Sequence, residues 1–164
     1  MNILALDLGT KAGACVMTDA GRVTLLTTID TTPRKGDRWG RRFLNFRAHL
    51  DHLIQTHRPD ALAYEMVRRH LATDAAHIYG ALQALVEMAA ASWEIPTHPL
   101  PVAVIKKAAT GRGNADKTAM AVHASRKWPE LAIDDDNQAD AIWIAEAFRT
   151  GAKPAAKKPR RTNA

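Results

Sequence analysis

The chain has 164 residues and a mass of 18.0 kDa, the span of one domain with its own core and too short for the two lobes of a kinase or dehydrogenase. Hydrophobic residues make up 46% and charged residues 24%, which excludes a disordered chain. One cysteine, Cys15, excludes an intramolecular disulfide and a cysteine-built zinc site.

No apolar run approaches the roughly 20 residues that span a bilayer. The opening Met-Asn-Ile-Leu-Ala-Leu-Asp lacks the basic and long apolar regions of a secretory leader, so a cytoplasmic protein is expected, with no membrane partner. The net charge of +6 is unevenly spread. Residues 151–164 hold Lys153, Lys157, Lys158, Arg160 and Arg161 and no acid, and the rest is nearly neutral. The expected organisation is therefore a folded domain over residues 1–150 and a disordered basic tail over 151–164. Such a tail can gain affinity for a polyphosphate without reading its sequence.

In chain order, residues 2–8, 12–18 and 23–29 are aliphatic or β-branched runs separated by Gly-containing turns, which predicts an antiparallel meander of three strands. From about Asp37 the spacing changes. Phe43, Phe46, Leu50, Leu53 and Ile54 recur at three and four, the mark of an amphipathic helix, and Pro59 closes it. Residues 61–66 read as a short buried strand. Thr73-Asp74 predicts the cap of a second helix, with Ile78, Leu82, Leu85, Val86 and Ala89 as its apolar stripe. A fifth strand over 95–100, a short helix over 101–109, a helix over 115–128 and a last helix over 134–148 complete the chain. Three strands followed by alternating helices and strands require a mixed sheet with a parallel half.

Two acids stand out inside apolar strands: Asp7 in Ile-Leu-Ala-Leu-Asp-Leu, and Glu65 in Leu-Ala-Tyr-Glu-Met-Val. A desolvated, unpaired carboxylate costs several kcal/mol, so each calls for a cationic partner. In the segment Asp134-Asp135-Asp136-Asn137-Gln138-Ala139-Asp140, Asp134 and Asp135 suit a helix start, where the dipole favours acids. Asp140 lies beyond the first turn, and Asp136 or Asn137 can share its face. Asp7, Glu65 and Asp140 with one of these would make the all-oxygen set that a hard cation such as Mg²⁺ favours. The seven histidines show no metal-ligand spacing. Lys106, Lys107, Arg112 and Lys117 surround the turn Gly111-Arg-Gly-Asn114, a basic loop suited to phosphate. Arg68 and Arg69 form a second basic loop beside Glu65, and Arg34, Lys35, Arg38, Arg41 and Arg42 a third cluster.

Together, Leu-Ala-Leu-Asp7-Leu-Gly-Thr10, Tyr-Glu65-Met-Val67, Val-Ile-Lys106, Gly113-Asn-Ala-Asp-Lys117 and Asn137-Gln-Ala-Asp140-Ala resemble, in order and separation, the RuvC-type Holliday-junction resolvases, phage-like members especially. The likeness spans residues 3–148. It implies a ribonuclease-H-like α/β fold, a mixed five-stranded sheet with three antiparallel and two parallel strands, flanked by helices. It also implies a homodimer, two Mg²⁺ (or Mn²⁺) ions per active site, and paired nicks in branched DNA. The metal ligands would fall on Asp7, Glu65, Asp140 and a fourth residue. The family's spacing puts that fourth ligand on Asn137, while Asp136, one residue earlier, offers a full charge. Lys106 and Lys117 would be the basic catalytic residues, and Arg68, Arg69, Lys107 and Arg112 DNA contacts. Arg68 stands where bacterial members carry an aromatic. The alanine-rich helix over 78–93 would form the dimer interface. Short YqgF-type relatives of the same fold, acting on RNA, share Leu-Asp-Leu-Gly-Thr-Lys. A junction-binding protein with a weakened metal site is the other alternative, because of Asn137.

Overall fold

The computed structural model describes residues 1–67 and 72–152; Arg68, Arg69 and nearly all of the basic tail lie outside the described residues. The strands are β1 (Asn2–Asp7), β2 (Lys11–Thr18), β3 (Val23–Asp30), β4 (Ala61–Met66) and β5 (Thr97–Pro101). They form one sheet in the order β3-β2-β1-β4-β5. β1 runs antiparallel to β2 and parallel to β4, β2 antiparallel to β3, and β4 parallel to β5. This is the mixed sheet the sequence predicts.

Alternation along the strands sorts their side chains between two cores. Leu4, Leu6, Ala14, Val16, Leu62 and Tyr64 face one side, under α1 (Arg41–His57) and α2 (Thr73–Ser92). Ile3, Ala5, Cys15, Met17 and Ala63 face the other, under α3 (Val102–Thr110), α4 (Lys117–Lys127) and α5 (Asp136–Arg149). α5 is buried on nearly all sides, and Ala139, Ala141, Ala145 and Ala147 let it lie close on the sheet. Its buried Glu146 accepts hydrogen bonds from Lys127 and Arg149. That ties α5 to α4 where Trp128 and Trp143 meet edge-on at 4.9 Å.

Element ends depart from the sequence reading for local reasons. α1 starts at Arg41 rather than near Asp37, because residues 34–40 make two turns, with Asp37 N–H donating to the Arg34 carbonyl and Arg41 N–H to that of Arg38. α2 is not capped by Thr73 or Asp74: Ala72 holds the cap position in extended conformation, and both polar residues lie inside the first turn. β5 begins at Thr97, after Pro96, which has no N–H to give; the Pro96 carbonyl accepts from Leu62 N–H. α4 and α5 start two residues later than predicted, each behind an aspartate whose side chain accepts a backbone N–H: Asp116 from Ala119 and Asp135 from Gln138, both at 2.8 Å. Arg42, read in the sequence as part of a basic surface cluster, is buried at 6% exposure. Among the described residues no helix is long and apolar enough to cross a membrane.

Candidate active site

Strand parity places the two isolated acids. Asp7 follows Ile3 and Ala5 on the α5 side of β1, and Glu65 follows Ala63 on the same side of β4. The parallel pairing of Leu6 with Tyr64 brings both carboxylates to the C-terminal ends of neighbouring strands. α5 covers that face and contributes Asp140, one turn in from its start. The site therefore lies where two strand ends meet one helix.

α5 can approach so closely because of Gly13, which pairs with Asp7 across β1 and β2. A Cβ at Gly13 would lie 1.9 Å from the Asn137 carbonyl oxygen and 3.1 Å from Ala141 Cβ. No other side chain fits there.

Burial and mutual repulsion dominate the electrostatics. The Asp7 carboxyl is pushed up to about 7, by burial first and then by the charges of Asp140 and Glu65, with Lys117 opposing. Glu65 is raised by burial and by Asp140, against the pull of Lys106 and Lys117. Asp140 is raised by burial and by Asp136, while Lys117 and Lys106 pull it down. Lys117 Nζ stands 3.7 Å from Asp140 Oδ2, the lysine 69% exposed and the aspartate 15%. Burial and neighbouring acids thus raise all three carboxyls, with two lysines only partly compensating them. This is a strongly perturbed cluster of the kind that marks functional sites.

The structure brings together Asp7, Glu65, Asp140, Lys106 and Lys117. Lys107 and Arg112 are exposed and are not among the principal charges acting on the three carboxylates. Arg68 and Arg69 fall outside the described residues. Asp136 is exposed, and its charge reaches Asp140. Asn137 is half-buried and hydrogen-bonds Asp135 through its side chain. Asp135 caps α5, accepts from Thr28 Oγ1 at 2.8 Å and adds to the field at Asp7. Among the described residues no three His, Cys, Asp or Glu side chains converge tightly enough to hold an ion as they stand.

Two residues that shape the site escape sequence reasoning. Gly13 carried a signal, since a glycine inside a strand marks close backbone approach. Tyr79 carried none beyond its place next to an apolar stripe. Its hydroxyl donates to the Glu65 carbonyl at 2.8 Å and accepts from Val67 N–H at 3.2 Å, pinning the strand end that bears the glutamate.

The family model for the crossover junction endodeoxyribonuclease RuvC matches residues 3–147. The chain belongs to the RuvC family. A curated RuvC from Mycobacterium sp. (strain KMS) is 33% identical over 123 residues, covering 71% of this chain and 65% of the relative. One from Halorhodospira halophila is 35% identical over 121 residues, covering 71% of this chain and 70% of the relative. The chain thus spans just under two-thirds of the mycobacterial relative's length. Among solved structures, Thermus thermophilus RuvC in complex with a Holliday junction substrate superposes with a TM-score of 0.80 at 23% identity, over 93% of this chain and 97% of that one. The yeast mitochondrial Holliday junction resolvase Ydc2 gives 0.63 at 15% identity, over 90% of this chain and 77% of that one. The fold is that of these proteins.

Proposed function

We propose that this chain is a divalent-metal-dependent endonuclease that cuts four-way DNA junctions by paired nicks, acting as a homodimer. The observation that carries the reading is the meeting of Asp7, Glu65 and Asp140 at one strand end, each with its carboxyl raised by burial and by other acids. Membership of the RuvC family gives that cluster its reaction class.

The donor set is all oxygen and carries unbalanced negative charge, which fits a hard cation. Asp7, Glu65 and Asp140 would hold Mg²⁺ or Mn²⁺, with two ions as the family resemblance implies, and would draw together on binding. Asp136 fits the fourth position better than Asn137, whose amide is engaged with Asp135. When bound, such ions activate water and stabilise the leaving 3′-oxygen. The protein's own share is positioning. Tyr79 holds the backbone at Glu65, Gly13 lets α5 bring Asp140 down, and Asp135 fixes the start of that helix. Lys117, exposed beside Asp140, and Lys106 supply positive charge for the scissile phosphate.

Two symmetric nicks need two sites related by a two-fold axis. The outer face of α2 suits such an interface: Ala84, Met88 and Ala91 are exposed, and Gly80 has open space above it. The test offers Mg²⁺ and three substrates, namely a mobile four-way junction, a linear duplex and an RNA–DNA hybrid. Paired nicks confined to the junction are expected. Cutting of the hybrid alone would move the chain to the RNA-directed branch of the fold, and metal-independent binding without cutting would make it a junction-binding protein.

A further inference from the structure

The loop between β3 and α1 and the first turn of α1 carry a second charged feature, which the cluster of acids does not use. Residues 34–42 include Arg34, Lys35, Arg38, Arg41 and Arg42 against a single acid, Asp37. They border a groove of about 700 Å³ lined by Arg34, Arg41, Arg42 and Asn45, with Asp30 and Asp37 at its wall. Both acids are engaged by the loop's own backbone. Asp30 accepts from Thr32 N–H and Asp37 from Arg34 N–H, each at 2.8 Å.

Arg42 is the unusual member. Only 6% of it is exposed, yet no described carboxylate pairs with it among the ion pairs of the chain. Its Nη2 donates to Thr10 Oγ1 at 2.9 Å, while its buried Nε–H has no partner among the described residues. Its guanidinium lies over the Trp39 ring at 5.5 Å and near that of Phe43 at 6.0 Å. A buried cation without a counter-charge is costly, and an anion in the groove would offset that cost. Trp39 itself is 59% exposed beside Arg42, which lines the groove.

The position is informative. Thr10 comes three residues after Asp7, and Thr31 ties the end of β3 to it, with its N–H and hydroxyl both donating to the Thr10 carbonyl at 2.8 and 2.7 Å. The groove therefore opens at the same end of the sheet as the carboxylates, but on the α1 side. We propose that it is a phosphate-binding site for the backbone of a DNA arm leaving the active site. Arg34, Arg41 and Arg42 contact phosphate oxygens, and Trp39 packs on the sugar or base edge. This rests on the reading of the chain as a junction endonuclease.

The test measures junction affinity of the full chain against salt concentration in EDTA, where nothing is cut. The variant Arg34→Gln/Arg41→Gln removes two exposed cations. The control Arg22→Gln/Arg126→Gln removes two others, in the β2–β3 turn at the far end of the sheet and late in α4. At about 0.9 per phosphate contact, the salt slope of the groove variant should fall by about 1.8, and that of the control by less than about 0.5. Trp39 fluorescence should change on DNA addition, and Trp39→Phe should abolish that part of the signal. An unchanged slope in the groove variant, or an equal fall in the control, overturns the proposal. Cutting by the wild-type chain in Mg²⁺ is read separately. A chain that cuts, with the slope of its groove variant unchanged, refutes the groove alone. One whose slope responds but which never cuts refutes the endonuclease reading and leaves the groove standing. A chain that binds no DNA refutes both.

Discussion

Replacing Gly13 by alanine tests the join between fold and site. The new methyl would lie 1.9 Å from the Asn137 carbonyl oxygen, 2.5 Å from its carbonyl carbon and 3.1 Å from Ala141 Cβ. Ordinary contact between such atoms is about 3.5 Å, so the start of α5 must retreat by roughly 1.5 Å. The obstacle is backbone against backbone, which no rotamer change relieves. Overpacking of a tight core costs about 1–3 kcal/mol, and this case belongs at the top of that range. The ~0.4–1 kcal/mol that alanine gains from a stiffer unfolded chain does not offset it. At about 2–4 °C per kcal/mol for a domain of this size, the melting temperature should fall by roughly 4–12 °C. Activity should fall further, since Asp140 travels with α5 and a 1 Å misplacement can cost about 100-fold. Gly9→Ala is the control: it sits in the neighbouring turn, where a Cβ meets only the Lys11 carbonyl at 3.6 Å. Calorimetry and a cleavage assay on both variants decide the matter. Gly13→Ala melting within 2 °C of wild type with full activity would refute the tight seating of α5.

Three further outcomes are expected. Asp7→Asn removes a buried carboxylate repelled by its neighbours, so it should raise the melting temperature measured without metal and lose the stabilisation that Mg²⁺ gives the wild type; a lower metal-free melting temperature would count against the repelled cluster. Glu146 is held below the usual carboxylate range: burial opposes its charge, but hydrogen bonds from Arg149 and Lys127 outweigh burial. Its contribution is therefore complete above the unfolded value of about 4.3 and is lost as pH falls through the lower folded value. Glu146→Gln should cost about 2 kcal/mol at pH 7, below the ~3–5 of a fully buried pair because Lys127 is 44% exposed, and should flatten the acid side of the stability profile in denaturant titrations. Asp136→Ala should raise the Mg²⁺ concentration needed for half-maximal cutting more than Asn137→Ala does; the reverse ranking would restore the family spacing.

Much of this molecule was legible because its signals are local. Aliphatic and β-branched runs bounded by turns located β1 to β4 within a residue or so, and β4 fell on its predicted bounds. The two acids stood out because a carboxylate inside an aliphatic strand has few other uses. Helix starts were less legible: a polar residue can cap a helix or occupy its first turn, as Thr73 and Asp74 do, and only the backbone decides. Arg42 read as one more surface arginine because burial under Trp39 depends on the fold of a loop. Tyr79 acts on the backbone of Glu65 and Val67, beyond any local pattern, and a glycine inside β2 signals a close approach without showing that α5 is the element that approaches.

Cleavage of a synthetic four-way junction by the wild-type chain and by Asp7→Asn, at equal protein and in Mg²⁺, tests the central claim most directly. Wild type should produce paired nicks on opposing strands, and Asp7→Asn should bind the junction with similar affinity and leave it whole. Asp7→Asn cutting at the wild-type rate, or a wild-type chain that leaves the junction intact in both Mg²⁺ and Mn²⁺, would contradict it.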